Sequence, residues 1–168
     1  ARPVYGSDDA RSKVERITAD LLAIPRDRAR IAADAAEMRD KIAAHKPANG
    51  ALDIKGGPGG LVDLEFAMQV TQLASRRCHD PNIAAALACM KASGLAPAEV
   101  CDAHGLLARM LVMLRLTAPE GEPATAAARL LVASACGEPG WPQLLAAHDV
   151  ARQEIANWWA SIRSPNTE

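Results

Sequence analysis

Apolar residues in this chain recur every three or four positions, and few Val, Ile or Thr alternate with polar neighbours, so strand-forming sequence is scarce. Ala supplies about a fifth of the chain and aromatic residues only 3%, which favours helices packed closely together. The punctuation then divides the chain. Ser7 is a helix N-cap followed by Asp8 and Asp9 at the positive end of the dipole, and Pro25 stops the run, which predicts a helix over 7–24 with Val14, Ile17, Leu21 and Ile24 as its apolar stripe. A second helix is expected over 27–45, with Ile31, Ala35, Met38 and Ile42 on one face.

Residues 47–60 hold two Pro and five Gly, too many for a helix, and read as a loop with a short extended piece at 52–55. Beyond it, helices are expected over 61–79, from an Asp80 N-cap with Pro81 at the first position to Gly94, over 97–116, over 123–137 and over 142–162. Leu106 to Leu114 is apolar nearly all round and predicts a central helix, and Ile155, Trp158, Trp159 and Ile162 lie on or near one side of the last. The expected fold is all-α: a bundle of about seven helices in a single domain over 1–168, with an ordered core over 7–162 and a frayed end from Ser164 to Glu168.

The 168 residues suffice for one packed core. Lys and Arg number 19 against 20 Asp and Glu, so no global field draws the chain to nucleic acid or an anionic membrane. No apolar run approaches the roughly 20 residues that span a bilayer, and Ala1-Arg2-Pro3-Val4 lacks the apolar core of a secretory signal, so a soluble, cytoplasmic chain is expected. The start at Ala1 without Met suggests a fragment or a processed product.

The stretch richest in chemistry runs from Asp53 to Phe66. It is not a P-loop, because Lys55 precedes the glycines and no G-K-[ST] follows them. Gly59 and Gly60 feed a helix N-terminus, whose N–H groups can hold a phosphate or carboxylate with Lys55 adding charge; alternatively the glycines only form a tight turn and Asp63 satisfies those N–H groups. Asp63 and Glu65, two apart on a helix, point about 200° from one another and cannot share a metal ion. Glu65, Gln69, Gln72 and Arg76 form a polar stripe, either a solvated face or the wall of a ligand or domain interface.

Elsewhere the signals are weaker. Cys78, Cys89, Cys101 and Cys136 contain no C-x-x-C and read as buried free thiols, although Cys101 with His104 and Cys78 beside His79 allow a mixed Cys/His metal site to be drawn. His45, His79 and His148 fall near helix ends or on polar faces, outside any nucleophile motif. Trp141, Trp158 and Trp159 read as core or interface anchors. No catalytic residue and no metal ligand set is assigned within the chain.

Met38-Arg39-Asp40-Lys41 before a Pro/Gly loop, then Asp53-Ile54-Lys55 with Gly59-Gly60-Leu61-Val62-Asp63-Leu64-Glu65-Phe66 and Gln69, resembles the glutamine synthetase adenylyltransferases and, more distantly, the uridylyltransferases that modify PII proteins. Looser matches at Leu106 to Leu116 and at Gly137, Trp141 and Leu145 extend the resemblance over most of 7–162. Such enzymes carry a helical segment after each of two nucleotidyltransferase domains, one adding AMP to a tyrosine of glutamine synthetase and one removing it by phosphorolysis. The Val62-Asp63 pair is similar to the second, C-terminal copy.

The resemblance implies a parent enzyme that uses Mg and ATP, with a G-S motif and a D-x-D pair, and partners that include its own upstream catalytic domain, glutamine synthetase and a PII protein. This chain contains no D-x-D, and Gly6-Ser7 leads into Asp8-Asp9 instead. The resemblance therefore implies an accessory or regulatory C-terminal helical domain that holds no cofactor and has no transfer activity alone. Lys55, Gly59, Gly60, Asp63, Glu65 and Gln69 would be its wall of the active site or its interdomain contact. The rival is a stand-alone helical interaction module that docks through the Glu65 to Arg76 face or through the Trp158-Trp159 helix.

Overall fold

The computed structural model describes residues 3–119 and 121–164, and among them the chain forms seven α-helices and no strand. They are α1 (Asp8–Ala23), α2 (Arg28–His45), α3 (Leu61–Ser75), α4 (Ile83–Ala92), α5 (Glu99–Thr117), α6 (Ala126–Ala135) and α7 (Trp141–Arg163). No helix among the described residues is long and apolar enough to cross a membrane.

Local chemistry sets most starts. Ser7, Asp27, Asn82 and Thr125 each accept a hydrogen bond from the backbone N–H three residues on, satisfying one of the donors that a helix start leaves free. Two of these differ from expectation. Asn82 caps α4, while Asp80 accepts from the Asn82 N–H at 2.7 Å and shapes the turn before it. Thr125, two residues after Pro123, caps α6 because it supplies the hydroxyl that Pro lacks. α3 stops at Ser75, four residues before the expected end, because Arg76 adopts the left-handed conformation (φ 57°) and turns the chain away. Ser164 caps α7, and the remainder of the tail expected to fray lies outside the described residues.

Packing follows the apolar faces. α5 and α7 pack against each other most extensively, α3 packs on α7 and also touches α5, α2 covers α3, α4 packs on α5, and α6 packs on both α5 and α7. Leu64, Leu107, Met110, Leu144, Ile155 and Leu87 are almost wholly removed from water. At about 1.5–3 kcal/mol per fully buried large apolar side chain, this shared core is the main source of stability. Phe66 and Trp159 pack with ring centroids 5.9 Å apart, and Trp158 and Trp159 are both buried, as anchors of the core.

The apolar stripe of α1 departs from this pattern. Val14, Ile17, Leu21 and Ile24 are about half exposed, and no residue of α1 is buried, so the face that the spacing predicts has no counterpart within the described chain. Met38 and Ile42 of α2 are likewise exposed. α5 is central but not buried all round, because Val112 and Leu116 face outward.

The cysteines also correct the sequence reading. Cys78 and Cys89 form a disulfide across the turn between α3 and α4, leaving Cys101 and Cys136 as the free thiols. Left-handed backbone at Arg76 and Cys78 folds that turn back over α4, and the Gln72 side chain donates to the Cys78 carbonyl at 2.7 Å to hold it there. His148, expected near a polar face, is buried at 2% exposure.

Candidate functional site

The loop between α2 and α3 is a series of turns, including the 52–55 piece expected to be extended. Asp53 explains why. One of its carboxylate oxygens accepts from the backbone N–H groups of Lys55 and Gly56, and the other accepts from that of Asn49, which winds the chain around the side chain. Burial raises the Asp53 pKa, but the hydrogen bonds from Gly56, Asn49 and Lys55 and the charge of Lys46 outweigh it and hold the carboxyl below its usual range. Ile54, 1% exposed, plugs the underside of the loop into the core.

The α3 N-terminus is then closed by the loop itself. The Leu61 and Val62 N–H groups donate to the Ile54 and Lys55 carbonyls at 3.1 Å each, and the Gly60 N–H donates to the Gly57 carbonyl at 2.9 Å. Asp63 Oδ2 accepts from the Gly59 N–H at 2.6 Å. Of the two readings of this stretch, the geometry matches the tight turn, but the first N–H groups of α3 are engaged by loop carbonyls, whereas Asp63, expected to satisfy them, accepts instead from the Gly59 N–H ahead of the helix.

Two arginines from other helices fasten the loop. Arg39 of α2 donates from Nε to Asp63 Oδ1 at 2.5 Å and from Nη2 to the Gly56 carbonyl at 3.0 Å, with both side chains of the ion pair 7% exposed. Arg152 of α7 donates to the Pro58 and Ala51 carbonyls at 2.8 and 3.1 Å. Gly59 sits so close to α7, at φ +69°, that a Cβ there would lie 2.1 Å from the Arg152 carbonyl oxygen. A Cβ on Gly60 would meet three loop carbonyl oxygens at 2.8 Å.

The structure therefore brings together Asp63, Gly59 and Gly60, whereas Lys55 projects from the same loop and is exposed. Glu65 is half-buried and lies near His104, where its charge partly opposes the effect of burial, which pushes the His104 pKa down. Gln69 is exposed on α3, and Gln72 of the same stripe serves the Cys78 turn. Arg39 and Arg152 were not among the candidate residues. Arg39 was legible only as part of the Met38 to Lys41 match, and Arg152 carried no local signal.

These residues do not fit Mg and ATP. Asp63 is committed to Arg39 and Gly59, the first N–H groups of α3 are taken by loop carbonyls, and no cluster of three His, Cys, Asp or Glu residues that could hold a metal occurs among the described residues.

Comparison with known proteins agrees with the loop's composition. The chain is 39% identical over 120 residues, 69% of its length, to the "Bifunctional glutamine synthetase adenylyltransferase/adenylyl-removing enzyme" of Caulobacter vibrioides, of which it covers 12%. It is 36% identical over 126 residues to the protein of the same description from Bordetella bronchiseptica, covering 13% of it. It is 42% identical over 74 residues to that of Brucella suis biovar 1, covering 44% of this chain and 8% of that one. The chain thus spans a small fraction of the length of these relatives. No solved structure matches it significantly. The family model described as GlnD PII-uridylyltransferase matches residues 29–122, more than half of the chain, from the start of α2 through α5, and the chain belongs to that family.

Proposed function

We propose that this chain acts as a helical accessory domain of a nucleotidyltransferase that adenylylates, and in the whole enzyme deadenylylates, glutamine synthetase in the cytoplasm. In this reading Mg and ATP are held by a separate catalytic domain, and the 55–65 stretch, with Gln69 beyond it, forms a rigid wall against that domain. The observation that carries it is the clamp. The stretch most like the family's uses its polar groups to fix its own shape on α2 and α7 while Lys55 stays exposed. A preorganised wall with one projecting cation suits a neighbour whose phosphates carry negative charge.

The half-exposed stripe of α1 supports a second body lying against the N-terminal side of the bundle. Glutamine synthetase and a PII protein are the partners this reading assigns to the whole enzyme. The test is transfer of labelled AMP from ATP to glutamine synthetase, by this chain alone and by the chain joined to a relative's nucleotidyltransferase domain. Activity in the joined protein alone is the expected result. Activity in the single chain would overturn the accessory role, and silence in both would favour a stand-alone interaction module.

A further inference from the structure

A groove of about 570 Å³ lies between α5, the turn from α6 to α7, and α7. Its floor is apolar and short-chained: Ala103, Cys136 and Ala151 are buried, and Ala147 is half-buried beside them. Side chains this small let another helix approach closely. Leu106 and Val150 also line the groove, and Val150 is 61% exposed although nothing polar covers its methyl groups.

Four carboxylates line the same groove, those of Glu99, Asp102, Glu138 and Glu154, against the single cation of Arg109. None of the four forms an ion pair among the described residues. Glu99 and Asp102 also serve the dipole at the start of α5, but Glu154 lies within α7, where no helix start favours it, and is half-buried. The charges are unevenly placed. Burial raises the Cys136 thiol pKa, the Arg109 charge opposes that and the Glu138 charge adds to it, so this opposite pair lies together beside Cys136. Glu99 stands about ten residues earlier on α5, or about 15 Å along the helix from Arg109. Glu138 thus offsets Arg109, and Glu99, Asp102 and Glu154 are left uncompensated along an apolar floor.

We propose that this groove docks a basic amphipathic helix of a partner protein, about three turns of which lie along α5 and α7. Its apolar face would cover Val150 and the alanine floor, and Lys or Arg residues at one end would meet Glu99, Asp102 and Glu154. Charge decides the class of occupant, because the same three carboxylates repel an acidic protein surface or an anionic lipid. The inference is independent of the accessory role, since the groove contains no residue of the 55–65 stretch.

The test titrates the chain with a labelled amphipathic peptide of about four helical turns, apolar on one face and carrying Lys at one end, read by fluorescence anisotropy. A control peptide has Glu in place of each Lys. The Lys peptide is expected to bind about tenfold or more tightly than the Glu peptide, and the double variant Glu99→Gln with Glu154→Gln should lose most of that preference. Val150→Asp separates docking from mere attraction. It adds a negative charge at an exposed position, yet should weaken the Lys peptide about tenfold by spoiling the apolar contact. Tighter binding to Val150→Asp, equal binding of the two peptides, or binding of neither would overturn the proposal. A dimer of the chain that Val150→Asp splits would also overturn it, by assigning the groove to a second copy.

Discussion

Arg39 and Asp63, 24 residues apart on α2 and α3, form a buried ion pair in which each partner also holds the glycine loop, Arg39 through the Gly56 carbonyl and Asp63 through the Gly59 N–H. One interaction thus locks two helices and the turn between them. Removing either charge strands the other in a site that excludes water. Arg39→Met is expected to cost about 3–5 kcal/mol, whereas the double variant Arg39→Met with Asp63→Leu should recover much of that. Urea unfolding of the two single variants and the double variant checks this, and additive losses would mean that the pair is uncoupled.

Gly59 and Gly60 tolerate no side chain for different reasons. At Gly59 a Cβ collides with the α7 backbone in a left-handed conformation, and at Gly60 it collides with loop carbonyls. Gly60→Val should loosen the loop and cost more than the 1–3 kcal/mol typical of an overpacked core. Gly50, at φ +81° with open space around it, should accept Ala at only the cost of its backbone strain, about 1 kcal/mol. Similar thermal shifts for the two variants would contradict the clamp.

Three histidines whose pKa values are lowered by burial set the direction of the pH dependence expected of this chain. Burial lowers the His148 pKa, the Arg152 charge adds to that, and Asp149 opposes it. A group whose folded pKa lies below its unfolded value stabilises the fold fully above the unfolded value, near 6.5, and loses that contribution as pH falls toward the folded value. His79 and His104 shift in the same direction, chiefly through burial. Unfolding temperature is therefore expected to fall between about pH 7 and 5, before the Asp53 carboxyl titrates. His148 Nε2 has no partner, so His148→Leu should flatten this slope at little cost near neutral pH. A slope unchanged in His148→Leu would remove His148 from the account.

In the oxidised chain the Cys78 to Cys89 bridge closes a segment with a sequence separation of 11, a constraint worth about 3 kcal/mol that a reducing cytoplasm removes. Thiol titration of the unfolded, unreduced chain should find Cys101 and Cys136 and no others, with all four reacting after reduction. Four reactive thiols before reduction would contradict the bridge.

Much of this architecture was legible because it is written locally. Ser7 and Asp27 announce their helices by side-chain chemistry within three residues, and the Ile155, Trp158, Trp159 and Ile162 spacing gives the buried side of α7. The tight turn was legible as one of two alternatives, but the partners of Asp63 were not, since it holds the Gly59 N–H and Arg39 rather than the N–H groups of its own helix. What escaped depends on distance along the chain. Arg152 reaches Pro58 across 94 residues, and nothing near either position marks the pairing. The disulfide occurs in a turn where Arg76 and Cys78 adopt left-handed backbone, a conformation that neither residue type advertises. The α1 stripe shows the converse, a pattern that was clear in sequence yet finds no partner among the described residues.

Lys55 tests the central claim most directly, because its side chain is exposed and belongs to a loop fixed by other residues. Lys55→Ala should leave the unfolding temperature of the chain within experimental error, since surface substitutions usually change stability by no more than about 0.5 kcal/mol. The same substitution should slow AMP transfer to glutamine synthetase when the chain is joined to a nucleotidyltransferase domain. A normal transfer rate with Lys55→Ala would show that the 55–65 stretch is not the wall of an active site.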